Sequence, residues 1–161
     1  MSDHSYTTSF TVDQTPREVI DAVRNVRGWW SNRVDGGTTE PGDQFDYRGG
    51  DSHRATIRVT EVVLDRKVSW FVVANHFDFT EDKTEWADNT ITFEVAERDG
   101  RTELRFTQHG LVPEYECYEV CSNAWSFFVN ESLHDLITTG AGQPMLAGRP
   151  HKLLADSGVA G

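Results

Sequence analysis

At 161 residues, with 37% hydrophobic and 25% charged side chains, five tryptophans and nine phenylalanines, the chain has the length and aromatic bulk of one well-packed domain, which excludes a disordered or fibrous protein. Fifteen Lys and Arg against twenty-six Asp and Glu give a formal charge of -11, a field that repels phosphate backbones and anionic membrane surfaces and so argues against a nucleic-acid partner. Two cysteines are too few for a disulfide-stapled secreted scaffold, no run approaches the roughly 20 apolar residues of a membrane span, and Met1–Thr8 lacks the basic and apolar regions of a leader, so a cytoplasmic location is expected.

Ser5–Val12 alternates, with Tyr6, Thr8, Phe10 and Val12 on one side, the period of a half-buried strand. Thr15-Pro16-Arg17-Glu18 then supplies a threonine N-cap, a proline at the first helical position and a glutamate that completes a capping box. Val19, Ala22, Val23 and Val26 continue at helical spacing, and the helix is expected to break near Gly28. After the punctuation of Gly36-Gly37 and Pro41-Gly42, Phe45 and Tyr47 open a strand that ends near Gly49-Gly50. Arg54–Leu64 reads as a long strand with Ala55, Ile57, Val59 and Val63 on one face, and Val68–Ala74 as another with Trp70 and Val72 together. His76–Asp88 has no steady period and reads as a loop at the mouth of the sheet or a frayed strand. Asn89–Glu97 and Thr102–Gln108 alternate on either side of Asp99-Gly100, the dipeptide of a type I′ hairpin.

From Glu114 to about Ile137 the period becomes 3.6. Cys117, Tyr118, Cys121, Ala124, Trp125, Phe128, Ser132 and Leu136 fall on one face, and Glu119, Asn123, Ser126, Asn130 and His134 on the opposite one. Residues 1–139 therefore form the expected domain, and the glycine-rich stretch 140–161 is expected to be a flexible tail. The fold class is α+β: a curved antiparallel sheet of about six strands wrapped around a long C-terminal helix, with one or two short helices after strand one.

Several blocks carry a resemblance in their order. These are Phe10-Thr11-Val12-Asp13 through Pro16, Glu18 and Val19 to Trp29-Trp30-Ser31, then Gly42-Asp43-Gln44-Phe45, Val68-Ser69-Trp70 and Thr90–Glu94. Gly100–Phe106, His109-Gly110-Leu111, Asn123-Ala124-Trp125 and Ser132-Leu133 complete the set. Across about residues 5–139 the chain resembles the Hsp90-ATPase-activator-homologue branch of the START-like, Bet v 1-like (SRPBCC) superfamily. The resemblance implies a helix-grip fold whose cavity, between sheet and terminal helix, holds lipids, hormones, polyketides or other hydrophobic molecules. It also implies a chaperone as a second kind of partner. The eukaryotic co-chaperones of that branch carry an additional N-terminal domain, whereas only a few residues here precede strand one.

Cys117 and Cys121 lie one helical turn apart, yet two thiols do not make a zinc site, and no CxxC or HExxH pair exists. His109 is the nearest candidate for a third ligand, so the expectation is buried cysteine, no metal and no cofactor. His53, His76 and His109 are the histidines placed to reach a pocket, and no nucleophile motif stands beside them, so no catalytic residue is assigned. Glu81, Asp82, Glu85 and Asp88 read as a solvated acidic rim. Trp29, Trp30, Trp70, Trp86 and Trp125 either line a pocket or fill the core.

The function expected is non-catalytic binding of a small hydrophobic molecule, with Trp70, Tyr118, Cys121, Trp125 and Phe128 lining the cavity, in a monomer or homodimer. Two alternatives stay open: a polyketide cyclase or aromatase-like enzyme, and a stress-related interaction module resembling the Hsp90 activators.

Overall fold

The computed structural model describes residues 5–49, 53–78, 80, 81 and 83–144. Most of the expected tail, from 145 onward, and Asp82 of the acidic loop lie outside these residues. Strand β1 (Tyr6–Val12) leads into α1 (Pro16–Arg24) and α2 (Val26–Trp29). Six strands follow: β2 (Val34–Gly36), β3 (Gln44–Gly49), β4 (His53–Val63), β5 (Lys67–Phe77), β6 (Thr90–Arg98) and β7 (Arg101–His109). The order across the sheet is β1-β7-β6-β5-β4-β3-β2, with every pair antiparallel. Each of β2 to β6 pairs with its successor, and only β1 crosses to the far edge, beside β7. Seven strands stand where about six were expected. The additional one, β2, is three residues long and too short to show an alternation.

Local chemistry accounts for the ends of these elements. Thr15 Oγ1 accepts from the Glu18 N–H while the Glu18 carboxylate accepts from the Thr15 N–H, the reciprocal cap expected from the sequence. The break in this helical region falls at Asn25, not Gly28: Asn25, at φ -86 and ψ 66, ends α1 and starts α2. Gly28 is instead where α2 meets the terminal helix, because a Cβ there would lie 2.6 Å from Asn25 Nδ2 and 3.2 Å from Leu136 Cδ2. Asp99 and Gly100 both take positive φ, 53° and 79°, which matches the twist of the β6–β7 hairpin.

The C-terminal helix is α3 (Tyr118–Phe127), a π-helical segment (Phe128–Leu133) and α4 (His134–Thr139), continuous in right-handed helical backbone. It starts at Tyr118 rather than Glu114, because the Glu85 carboxylate takes the N–H groups of Glu116 (2.8 Å) and Cys117 (3.1 Å) and stops the backbone winding earlier. The wider π turn rotates the buried stripe: Val129 and Leu133 are fully buried beside Phe128 and Ser132, while Leu136 is only half-buried. The polar face opposite that stripe meets β1. Tyr6 hydroxyl bonds Ser126 Oγ (2.6 Å), Asn130 Nδ2 donates to Thr8 Oγ1 (3.0 Å), and the Phe10 and His134 rings meet edge-on at 5.1 Å.

Two register shifts bend the β4–β5 ladder, between Thr56 and Ile57 and between Val59 and Glu61. The second turns Val63 outward to 37% exposure, although the alternation had placed it with Ile57 and Val59. Burial is the dominant stabilising effect. Each fully enclosed Val, Ile, Leu or Phe contributes roughly 1.5–3 kcal/mol, against about 0–1 kcal/mol for exposed ion pairs such as Arg17–Asp21 and Arg101–Asp13. Among the described residues no helix is long and apolar enough to cross a membrane.

Candidate functional site

All five tryptophans meet in the space between the sheet and α3. Trp29 and Trp70 stack at 6.4 Å, and Trp30 lies 5.8 Å from Trp70, 4.8 Å from Trp125 and 3.8 Å from the Tyr47 ring. Trp125 in turn stacks on Trp86 at 5.7 Å, and Trp86 meets the His53 ring edge-on at 4.5 Å. The column therefore runs from α2 across the sheet to the far ends of β4 and β5.

Two groups of polar atoms flank this column. In the first, Trp125 Nε1 donates to Gln108 Oε1 (2.8 Å), Gln108 Nε2 donates to Asn89 Oδ1 (2.8 Å), and Asn89 Nδ2 donates to the Tyr115 hydroxyl (3.3 Å). Gly110, at φ +105, stands against this chain, and a Cβ there would come within 2.5 Å of Asn89 Nδ2. In the second, at the far ends of β4 and β5, His53 Nε2 and Asn75 Oδ1 are enclosed without a hydrogen-bond partner, and Trp86 Nε1, equally enclosed, has no oxygen or nitrogen partner and only the weakly accepting Cys121 thiol beside it. The first β4–β5 register shift places Asn75 and Phe77 on the inner face, opposite Ala55 and His53. Phe77, Trp86 and Tyr47 rings box in His53 at 4.3, 4.5 and 5.3 Å.

Electrostatics mark the same corner. Burial in this ring box pushes His53 down to about 3, so the imidazole is neutral at physiological pH. Burial, reinforced by Cys117 and the Glu85 charge, pushes the Cys121 thiol up, and the Trp86 indole N–H beside it acts weakly in the other direction. Burial likewise raises the Tyr47 phenol far above its ordinary value. Both cysteines are free and buried, and the raised pKa keeps Cys121 a thiol rather than a thiolate.

Of the residues singled out from sequence, Trp70 and Trp125 stand in the column, and Cys121 and Phe128 lie buried on the same helix, one toward Trp86 and one toward Phe127. Tyr118 is half-buried. Only His53 of the three histidines faces inward. His76 is on the outer face with Asp78 at 2.7 Å, and His109 Nε2 is 3.1 Å from Thr92 Oγ1. Glu85 is not part of a solvated rim: it is 9% exposed and serves as the cap of the α3 approach. Tyr47, Asn75 and Gln108 were not among the expected site residues. Gln108 did leave a trace, since it continues the buried face of an otherwise apolar strand, where an amide is uncommon and must be bonded, whereas Asn75 reaches the inner face only through the register shift. Among the described residues no three His, Cys, Asp or Glu side chains gather as a metal site.

A curved antiparallel sheet closed over a C-terminal helix, with its aromatic side chains gathered between them, defines a helix-grip α+β domain. Residues 19–138 match the family model described as Activator of Hsp90 ATPase homolog 1-like protein, and the chain belongs to that family. No curated protein matches its sequence significantly. Among solved structures, the solution structure of the Aha1 dimer from Colwellia psychrerythraea is similar over 86% of this chain and 98% of its own, at 20% identity and a TM-score of 0.68. DynU16, a protein of the dynemicin biosynthetic locus, is similar over 88% of this chain but 49% of its own, at 17% identity and a TM-score of 0.63. CalU16 from Micromonospora echinospora is similar over 85% of this chain and 75% of its own, at 13% identity and a TM-score of 0.59. At these identities the likeness is one of fold.

Proposed function

We propose that the chain binds a small hydrophobic molecule non-covalently, without catalysis, between the sheet and the C-terminal helix, with Trp70, Tyr118, Cys121, Trp125 and Phe128 in contact with it. The observation that carries this reading is the set of enclosed, unbonded polar atoms on aromatic walls, the pairing of apolar surface with a few orienting groups that small-molecule sites share. Each such atom costs about 1–3 kcal/mol when left without a partner, a cost that a bound molecule relieves. The cyclase reading needs an acid beside an inward histidine or tyrosine. Glu85, the buried carboxylate, is instead committed to two backbone N–H groups.

Binding of an environment-sensitive hydrophobic dye tests the proposal. The wild type is expected to bind and Ala124→Trp to abolish binding. Phe128→Ala should shift dye affinity while costing no more than the low end of the roughly 3–5 kcal/mol typical of a tightly packed phenylalanine. A wild type that takes up no dye or apolar compound, with both variants strongly destabilised, means a filled grip and removes the binding reading. Family membership favours one second reading, an interaction module for an Hsp90-class chaperone. Retention of the chaperone on the immobilised chain in a pull-down distinguishes it.

A further inference from the structure

The orphaned atoms at the far ends of β4 and β5 differ in kind, and the difference selects among ligands. Trp86 Nε1 can only donate, Asn75 Oδ1 can only accept, and His53 Nε2 does one or the other according to tautomer. Trp86 is 3% exposed and Asn75 7%. They belong to one corner: His53 contacts Trp86 at 4.5 Å, and Asn75 lies two residues before Phe77 on β5, the ring that meets both His53 (4.3 Å) and Trp86 (5.7 Å). A carbonyl oxygen would satisfy the donor and leave the acceptor unmet. A carboxylate would do the same and bring a charge into a place with no buried Lys or Arg among the described residues, where the buried carboxylate whose charge is felt at Cys121, Glu85, would repel it. A neutral hydroxyl does both tasks, accepting from the indole N–H and donating to the carboxamide oxygen or the imidazole.

We propose that this corner recognises a hydroxyl group on a neutral, flat, apolar ring system, so that Trp86, Asn75 and His53 act as the polar end of the binding site. The inference rests on the binding function proposed above and adds to it the chemical class of the ligand. Trp86 and Trp125, parallel to within 15°, offer the ring faces against which the flat body stacks. Trp86 sits on the β5–β6 connection rather than in a strand or helix, so its ring can shift to admit that body without opening a sheet ladder. The neutral state of His53 keeps a lone pair available in the same corner at physiological pH.

Three probes of one ring size separate the possibilities: 2-naphthol, naphthalene and 2-naphthoate, titrated into the full chain by calorimetry with the five indole N–H signals followed by NMR. Naphthol is expected to bind about tenfold more tightly than naphthalene, the worth of a matched hydrogen bond, and naphthoate more weakly than either. The indole signal that disappears in Trp86→Phe should move downfield with naphthol and not with naphthalene. Trp86→Phe and His53→Phe, which keep a ring in place, should each bring naphthol affinity down toward that of naphthalene. Equal affinity for naphthol and naphthalene, with the Trp86 signal unmoved by either, overturns the hydroxyl corner while the binding function stands. Tightest binding of naphthoate overturns it in favour of an anion. Absence of binding by all three, with no dye uptake either, overturns both.

Discussion

The two polar groups beside the aromatic column are built from the same kinds of side chain and end in opposite states. Trp125, Gln108, Asn89 and Tyr115 are joined in one chain by three hydrogen bonds, whereas Trp86, Asn75 and His53 keep three enclosed atoms without an oxygen or nitrogen partner. Position accounts for the difference. Gln108 and Asn89 come from regular β7 and from the residue just before β6, facing the middle of α3, where one geometry is imposed from both sides. Asn75 and His53 come from beyond a register shift, where the ladder bends and the covering residue is supplied by a connection. A closed network holds a core in one arrangement, and an open one holds a place for something else.

The strongest way to break this comparison is to open the closed side. Gln108→Leu leaves the Trp125 N–H and the Asn89 carboxamide oxygen unpartnered in the core, and the expected loss is about 2–6 kcal/mol, from two groups at about 1–3 kcal/mol each, read by urea denaturation. A loss under about 1 kcal/mol would mean that water or repacking satisfies the core as readily as the corner.

Titration sharpens the contrast from the open side. His53 is held near 3 in the fold and titrates near 6.5 when unfolded, so between those values the unfolded chain carries the additional proton. Stability therefore rises with pH through this window, and falls by up to about 1.4 kcal/mol per unit as pH drops below 6.5. Carboxylates act in the same direction, so the measurement is the difference between wild type and His53→Phe, whose stability should fall less steeply from pH 6.5 to 4.5. Identical slopes would place His53 in water and out of the corner.

The smallest effect concerns the exit of the terminal helix. Gln143 N donates to Ser132 Oγ (2.7 Å), its Nε2 donates to Asp135 (2.8 Å), and Gly142 passes so close to Gly28 that a Cβ would lie 2.4 Å from the Gly28 oxygen. We propose that the domain proper ends after these residues. Truncation after Pro144 should leave the melting temperature unchanged, and truncation after Gly140 should lower it by a few degrees, about 1 kcal/mol.

Much of the fold was legible because it is local. The Thr15–Glu18 cap, the Asp99-Gly100 turn and the alternation of β6 and β7 lie within a few residues of one another, where periodicity and capping chemistry act directly. The long amphipathic helix was legible for the same reason, although its start and the rotation of its stripe were not. Trp70, Cys121, Trp125 and Phe128 were recognisable as inward residues from spacing alone, but spacing does not say which rings touch.

Sequence by itself determined the class of architecture and the apolar faces, Trp70 and Trp125 among them, because the period of hydrophobic residues dictates which side of each element leaves water. Only the tertiary structure decided which polar atoms are satisfied. Glu85 caps a segment 31 residues away, Trp125 finds its acceptor 17 residues back, and Tyr6 reaches Ser126 across 120 residues, whereas Asn75 is aimed inward by a register shift that no pattern in β5 announces, opposite the β4 face that His53 shares with Ala55 and Ile57. A hydrogen bond depends on the meeting of two particular atoms to within a few tenths of an ångström, and that meeting is set by how distant segments pack, not by the composition of either one.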